Sequence, residues 1–206
     1  MSEPASNGIE ATRRRLTEKQ ADTVDRLTAA AVEVLSRAGY SGTTIRMVAA
    51  TAGVGTATAY TYFSSKEHLI SEVFWRRLAA TPEPVTRETD STTRVIAVLR
   101  QVSLLVADEP ALAGAVSSAL LGDDPDVRHL RVRIGSEIRR RLTDALGSND
   151  PSTLDMLELL YSGAMLQGGM GHLSYSEVAD LLSACARRVL AHGGARAANT
   201  ADKAEE

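Results

Sequence analysis

Along almost the whole chain, apolar residues return every three or four positions, the spacing of one face of an α-helix. Val24, Leu27, Ala31, Val34 or Leu35, and Ala38 form the first stripe, which Gly39 closes as a helix stop. One short stretch breaks the pattern. Thr56-Ala57-Thr58-Ala59-Tyr60-Thr61-Tyr62-Phe63 is rich in Thr and Tyr and alternates small with large, so local propensity alone reads it as a strand. A lone strand would find no partner elsewhere in this sequence, and its backbone groups would go unpaired. Read as a helix, the stretch puts Ala59 and Phe63 on one face and turns Thr58, Thr61 and Tyr62 outward. The fold class predicted is therefore all-α.

Punctuation divides the helices into two groups. A second helix is predicted over 44–52, with Ile45, Val48 and Ala49 inward and Gly53 as its stop. The helix after the Thr/Tyr stretch begins at Ser64 or Ser65, where Ser64-x-x-Glu67 offers a capping box, and carries Leu69, Ile70, Val73 and Leu78. Pro82 and Pro84, in the polar segment 81–91, mark a boundary. Five further helices are predicted over 92–108, 110–121, 126–146, 151–172 and 174–192. The expected organisation is a flexible arm over 1–18 ending in Arg13, Arg14 and Arg15, a helical unit over 19–80, a second helical domain over 92–193 and a disordered tail over 194–206.

Composition removes several function classes. The 206 residues carry 23 basic and 26 acidic side chains, a net charge of -3, which argues against a surface built for indiscriminate nucleic-acid binding. Any DNA contact must be local. The charge divides accordingly: residues 1–80 are net positive and the remainder net negative. A single cysteine, Cys185, excludes an intramolecular disulfide framework and a multi-cysteine zinc site, and suits a reducing compartment. It shares a stripe with Val178, Leu181, Leu182 and Val189, so burial is expected. The N-terminus has neither a basic start nor an apolar block, and the uncharged stretches 47–65 and 159–176 are studded with Thr, Ser, Gly, Gln and His. We therefore expect a cytoplasmic protein without a membrane span.

Catalysis has no visible carrier. Gly53-x-Gly55-x-x-Thr58 lacks the last glycine and the preceding strand of a dinucleotide site, and neither Gly-x-x-x-x-Gly-Lys nor Gly-x-Ser-x-Gly occurs. His68, His129, His172 and His192 show no spacing that makes a metal site. No catalytic residue, metal or cofactor is expected. The adjacent Arg139, Arg140 and Arg141 should fan around a helix and face water.

What remains is a helix, a glycine turn and a second helix over about 44–63. Gly53 supplies the backbone freedom the turn needs, Val54 can plug the gap between the helices, and the second helix is free to enter a DNA major groove. The run from Gly42 to Leu69, with Thr44, Ala49, Ala52-Gly53-Val54, Tyr60-Thr61-Tyr62-Phe63 and Ser65-Lys66-Glu67-x-Leu69, resembles the signature of the TetR family of bacterial transcriptional regulators. The resemblance covers about 20–78; Ala59 stands where a larger aliphatic is usual, and Gly55 and Ala57 leave the start of the second helix short of long side chains.

The resemblance implies an N-terminal three-helix DNA-binding domain and a C-terminal helical domain for effector binding and dimerisation. It places Arg46, Thr56, Ala57, Thr58 and Thr61 at bases, where Arg suits guanine and short side chains suit thymine methyl groups. Thr44, Tyr60, Tyr62 and Lys66 fall at phosphates. Lys66 adds a physical hint, since a cation in a helix's first turn opposes the macrodipole unless an anion lies beside it. The implied partners are a palindromic double-stranded operator, a second copy of the chain meeting it through 154–170 and 177–190, and a small apolar effector. Leu99, Val102, Leu120, Leu157, Tyr161 and Met165 are the expected effector-pocket lining. Repression is the expected role, with activation open to the same fold. A rival reading makes the chain a helical small-molecule enzyme or carrier whose N-terminal unit docks a protein partner.

Overall fold

Capping side chains and prolines set where the helices begin. The computed structural model describes the backbone of residues 17–85 and 90–202, and the side chains of these up to 191. Its helices are α1 (Glu18–Gly42), α2 (Ile45–Thr51), α3 (Thr56–Tyr62), α4 (Lys66–Ala80), α5 (Ser91–Leu104), α6 (Pro110–Leu120), α7 (Pro125–Leu146), α8 (Pro151–Gly169) and α9 (Tyr175–Asp202). Thr44, Ser65, Asp90, Asp124 and Asp150 each accept a backbone N–H from the first turn that follows. Pro110, Pro125 and Pro151 occupy first turns, where the missing N–H costs nothing. Among the described residues no helix is long and apolar enough to cross a membrane.

Gly39, read from the sequence as a helix stop, does interrupt α1: its φ of 65° and ψ of 176° are non-helical, and a short helical turn beyond the kink runs to Gly42. The structure corrects three boundaries. Ser65 caps α4, accepting the His68 N–H at 3.0 Å, while Ser64 turns its hydroxyl to Asp124 instead of forming a box with Glu67. Thr17 and Glu18 open α1, so of the expected arm only 1–16, with Arg13 to Arg15, lies outside the described residues. At the other end α9 continues through Gly193 and Gly194 to Asp202, where a disordered tail from 194 is expected. Alanines at 191, 195, 197, 198 and 201, the best helix formers, offset the two glycines.

Helix α4 is the hinge of the architecture. Every residue from 68 to 75 is buried, because α1 covers one side and α6 and α7 the other. Val24, Leu27, Val34 and Leu35 of α1, Ile45 and Val48 of α2, and Ala59 and Phe63 close the N-terminal core against Leu69, Ile70 and Val73. Behind α4, α5 packs on α7 and α9, and α8 on α6 and α9. Gly169 lets α8 approach α6 closely: a Cβ there would lie 2.4 Å from the Cβ of Ser117. The glycine cluster 168–171 thus serves contact as well as the turn into α9.

Burying α4 on all sides traps charge. Glu72 is fully buried and bonds the Arg76 guanidinium at 2.8 Å; Arg76 also pairs with Asp25 of α1. Burial pushes the Glu72 carboxyl up to about 7, against the lowering pull of Arg76 and Arg133. Because the folded value lies above the unfolded one, its stabilising effect is complete below about 4.5 and is lost as pH rises through about 7.

The three adjacent arginines meet three fates, and only two face water. Arg139 pairs with Asp155 and Glu158 of α8, and Arg140 with Glu83, Glu137 and Asp144. Arg141 is 3 % exposed: it bonds Glu137 at 2.7 Å and donates to the Leu78 and Thr81 carbonyls at 2.7 and 2.9 Å. Those carbonyls end α4, so a cation placed there completes an otherwise orphaned terminus and complements its dipole.

Two stability measurements check this frame. Chemical denaturation at pH 5.5 and 8.5 should show Glu72→Gln gaining on the wild type as pH rises, by on the order of 2 kcal/mol; a difference indifferent to pH contradicts the buried carboxylate. Arg141→Ala should cost about 3 kcal/mol by stranding buried partners, and Arg140→Ala under about 1 kcal/mol; equal losses contradict the terminus-binding role.

Candidate nucleic-acid interface

The α2–turn–α3 unit is held from inside by its apolar residues and from beneath by α1. Ile45, Val48 and Ala49 are buried, and Thr44 caps α2 by accepting the Met47 N–H at 3.2 Å. Gly53 makes the turn at φ 63°, a conformation side-chain-bearing residues rarely adopt, and half-buried Val54 seats beneath it with its N–H on the Ala49 carbonyl at 2.9 Å. Arg26 of α1 donates to the Ala52 carbonyl and, at 3.0 Å, to that of Gly53. A guanidinium at the C-terminus of α2 neutralises its dipole and fixes the angle at which α3 departs.

Helix α3 hides one side chain and shows the rest. Ala59 is 1 % exposed and Phe63, its closing residue, fully buried. Ala57, Thr58, Tyr60 and Thr61 are exposed, and Thr56 and Tyr62 half-buried. Arg46 and Met47 of α2 are exposed beside them. The segment that propensity reads as a strand is therefore a helix, because the burial of Ala59 and Phe63 in the N-terminal core overrides the preference of Thr and Tyr for extended backbone.

Lys66 already has an anchor. Its ammonium donates to the Tyr40 carbonyl at 3.1 Å and lies 4.3 Å above the Tyr40 ring. The carbonyl at the end of α1 and that ring thus ease the cost of a cation in the first turn of α4 without invoking a phosphate. The Tyr40 hydroxyl donates to Glu67 at 2.9 Å; burial first, then that carboxylate, pushes the phenol up to about 12.

A polar joint ties this unit to the second domain. Asp124, which caps α7, accepts the hydroxyls of Ser64 at 2.8 Å and Ser65 at 2.6 Å. Burial pushes its carboxyl up, but those hydroxyls, the Asp126 N–H and His68 outweigh it and hold the group below its ordinary value. The buried His68 ring receives the Ser64 N–H at 3.2 Å and faces Asp126 at 3.6 Å. Sequence reasoning missed Arg26, Asp124 and Arg141. Nothing in local spacing marks them, since each acts on a residue at least 26 positions away.

The second domain holds a cavity of about 690 Å³ among α6, α7 and α8, with Phe74 of α4 at one wall. Of the expected lining residues, Leu120, Tyr161 and Met165 border it. Leu99, Val102 and Leu157 do not: each is at most 1 % exposed and packs in the core, Leu99 and Val102 because α5 lies against α7 and α9, and Leu157 on the buried side of α8. The wall expected from α5 comes from Val132, Ile134 and Ile138 of α7. Small residues facing each other, Gly135 and Ser136 on α7 and Ser162 and Gly163 on α8, leave the space open and were the available signal. Arg139 is neutralised by Glu158 at the rim, and Arg131 donates to the Gly122 carbonyl at 2.7 Å. Cys185, expected to be buried, is half-buried, and among the described residues no group of His, Cys, Asp and Glu assembles a metal site.

Comparison with known proteins bears directly on this unit. Residues 27–73, from α1 through α4, match the model of the tetR family of bacterial regulatory proteins. HTH-type transcriptional regulators of uncharacterized role from Mycobacterium bovis and Mycobacterium tuberculosis are 42% identical over 193 residues, covering 92% of this chain and 88% of theirs. A TetR transcriptional regulator from Rhodococcus sp. RHA1 shares the fold with a TM-score of 0.70 at 23% identity, over 85% of this chain and 98% of that one. FadR of Bacillus subtilis, solved in complex with stearoyl-CoA, does so at 0.61 and 18%, over 79% and 96%. The rival reading of an enzyme or carrier falls with these matches. With the fold shared and relatives 42% identical over nearly the whole chain, the assignment is plain: the chain belongs to the tetR family of bacterial regulatory proteins and is a DNA-binding transcriptional regulator.

Proposed function

We propose that this regulator is a repressor, released from a palindromic operator when a small apolar effector enters the α6–α7–α8 cavity. The observation that carries the reading is the polar joint at Asp124, which links a cavity wall to the DNA-facing unit. Leu120 and Leu121 line the cavity, and two residues separate Leu121 from Asp124, whose carboxylate grips Ser64 and Ser65 between α3 and α4. An occupant that displaces those leucines pulls on the segment supporting α3.

The cavity's chemistry favours an apolar occupant. Its walls are chiefly Phe, Val, Ile, Leu and Met side chains, the rim charge of Arg139 is matched by Glu158, and its volume suits a ligand of drug or lipid size. An acyl chain, of the kind found in the B. subtilis fold relative, is a natural candidate. Two copies meet through α8 and α9, where Met156, Leu159, Leu166, Met170 and Leu181 leave apolar surface exposed. One reading helix is too small for specific binding, and a two-fold pair spaces two helices for successive groove openings on one face of the duplex. The protein works where its operator is, in the cytoplasm.

On the duplex, Arg46 reads guanine, and Thr56, Ala57, Thr58 and Thr61 lie at the floor of the major groove. Thr44, Tyr60, Tyr62 and Lys66 face phosphates, Lys66 turning from Tyr40 toward the backbone of the DNA.

A mobility-shift titration on the chain's own upstream DNA tests the residue roles. Arg46→Ala should weaken specific binding by about 1 to 3 kcal/mol and relax selectivity; Lys66→Ala should weaken all sequences alike and lower the salt slope by about 1. Equal binding by all three proteins rejects the assignments. With a long-chain acyl-CoA as probe, DNA affinity should fall about 5- to 150-fold, and saturating DNA should weaken acyl-CoA binding by the same factor. Calorimetry in which only small, highly charged metabolites bind would contradict the apolar effector.

A further inference from the structure

We propose that the effector is an amphiphile, an apolar chain ending in anionic oxygens, and that Arg131 on the cavity wall takes the charged end and thereby releases the segment that steadies the DNA-facing unit. The inference rests on the effector reading above and narrows it from an apolar molecule to one with a single charged end.

Three observations carry it. First, the two arginines that border the cavity are unlike. Arg139 is neutralised by Asp155 and Glu158, whereas Arg131, which is exposed, has no carboxylate at ion-pair distance among the described residues. Second, Arg131 makes one hydrogen bond among the described residues, to the Gly122 carbonyl at 2.7 Å. A guanidinium carries five N–H donors, so most of its fork is uncommitted. Third, Gly122 is a point of leverage. It follows α6, with its N–H on the Ala119 carbonyl at 3.0 Å, and it lies against the first turn of α4: a Cβ there would be 3.5 Å from the Cγ of Glu67. Two positions on, Asp124 accepts the Ser64 and Ser65 hydroxyls. Arg131 thus ties the cavity to the one segment, 122–124, that supports the link between α3 and α4.

Charge decides which acceptor Arg131 keeps. A peptide carbonyl offers it a neutral acceptor, while a carboxylate or phosphate accepts two parallel, charge-assisted bonds, each roughly twice as strong. An anion carried in on a chain that fills the apolar space between α7 and α8 therefore draws the guanidinium away from Gly122. Since Arg131 is exposed, the charged end keeps contact with water while the chain is buried, and the cost of stripping an ion is avoided. A wholly apolar occupant leaves the Arg131–Gly122 bond in place and acts only by pushing on Leu120 and Leu121.

The test uses the full-length protein with decanoate, 1-decanol and decanoyl-CoA as probes, titrated by calorimetry. Wild type should bind decanoate or decanoyl-CoA about tenfold tighter than 1-decanol, the value of a hydrogen-bonded charge. Arg131→Met should bring that ratio to about one without changing the affinity for 1-decanol, which also shows that the variant is folded; Arg131→Lys, which keeps a cation, and Arg139→Met should retain the preference. Dependence on Arg131 for decanoate alone identifies a free acid as the effector class, and for decanoyl-CoA alone a phosphate-bearing carrier; either supports the proposal. In a mobility shift without ligand, Arg131→Met should bind the upstream duplex about fivefold more weakly than wild type, because the tether to Gly122 is already cut. Probes bound equally well with and without Arg131 would overturn the charged-end proposal and leave the apolar-effector reading standing. Unaltered DNA affinity of ligand-free Arg131→Met would overturn the release step. If none of the three probes binds wild type, the proposal and the apolar-effector reading fail together.

Discussion

Helix α4 is held at both ends by the second domain, and the rest of the molecule is arranged around that constraint. At its N-terminus Ser64 and Ser65 are bonded to Asp124; at its C-terminus the Leu78 and Thr81 carbonyls are bonded to Arg141. Between these points its sides are buried against α1 on one flank and α6 and α7 on the other. A helix so enclosed moves as a rigid piece or not at all. Since α3 joins it through Phe63, Ser64 and Ser65, any change of setting in α4 becomes a change of aim in the DNA-facing helix.

The DNA-facing unit is itself braced rather than merely exposed. Arg26 holds the turn carbonyls, and Lys66 rests on the ring and carbonyl of Tyr40. Positive charge in this half therefore serves twice, completing helix ends and lying near the surface offered to a duplex. The net charge of -3 for the whole chain conceals this local concentration. A DNA contact made through few cations has a shallow salt dependence, because the slope grows with the number of phosphates neutralised.

Much of the architecture was legible in the residues. Glycine and proline placed the boundaries, and helical spacing placed the cores; the Thr/Tyr stretch was readable as a helix only because the sequence around it reads as helix and offers it no strand partner. Contacts distant in sequence were not legible. Arg141 looks like its neighbours Arg139 and Arg140, and only the docking of α4 decides that it is buried. The lining expected for an effector pocket was drawn partly from α5, whose apolar stripe serves the core with α7 and α9, whereas the cavity lies among α6, α7 and α8. Lining and packing residues share one chemistry, so only geometry separates them. The outcome at α9 has another cause: ten residues beyond His192 continue the helix because alanine propensity outweighs the paired glycines.

The central claim is that the exposed face of α2 and α3 is the surface that meets DNA. Met47 is 41% and Tyr60 55% exposed, and both are oxidisable side chains on that face. Hydroxyl-radical oxidation of the protein, read by mass spectrometry with and without a saturating upstream duplex, measures their protection. The account predicts that Met47 and Tyr60 are shielded by DNA while Met156 of α8 and Met170, just beyond its end, keep the rates they show without it. Unchanged oxidation of Met47 and Tyr60 in the saturated complex would contradict it.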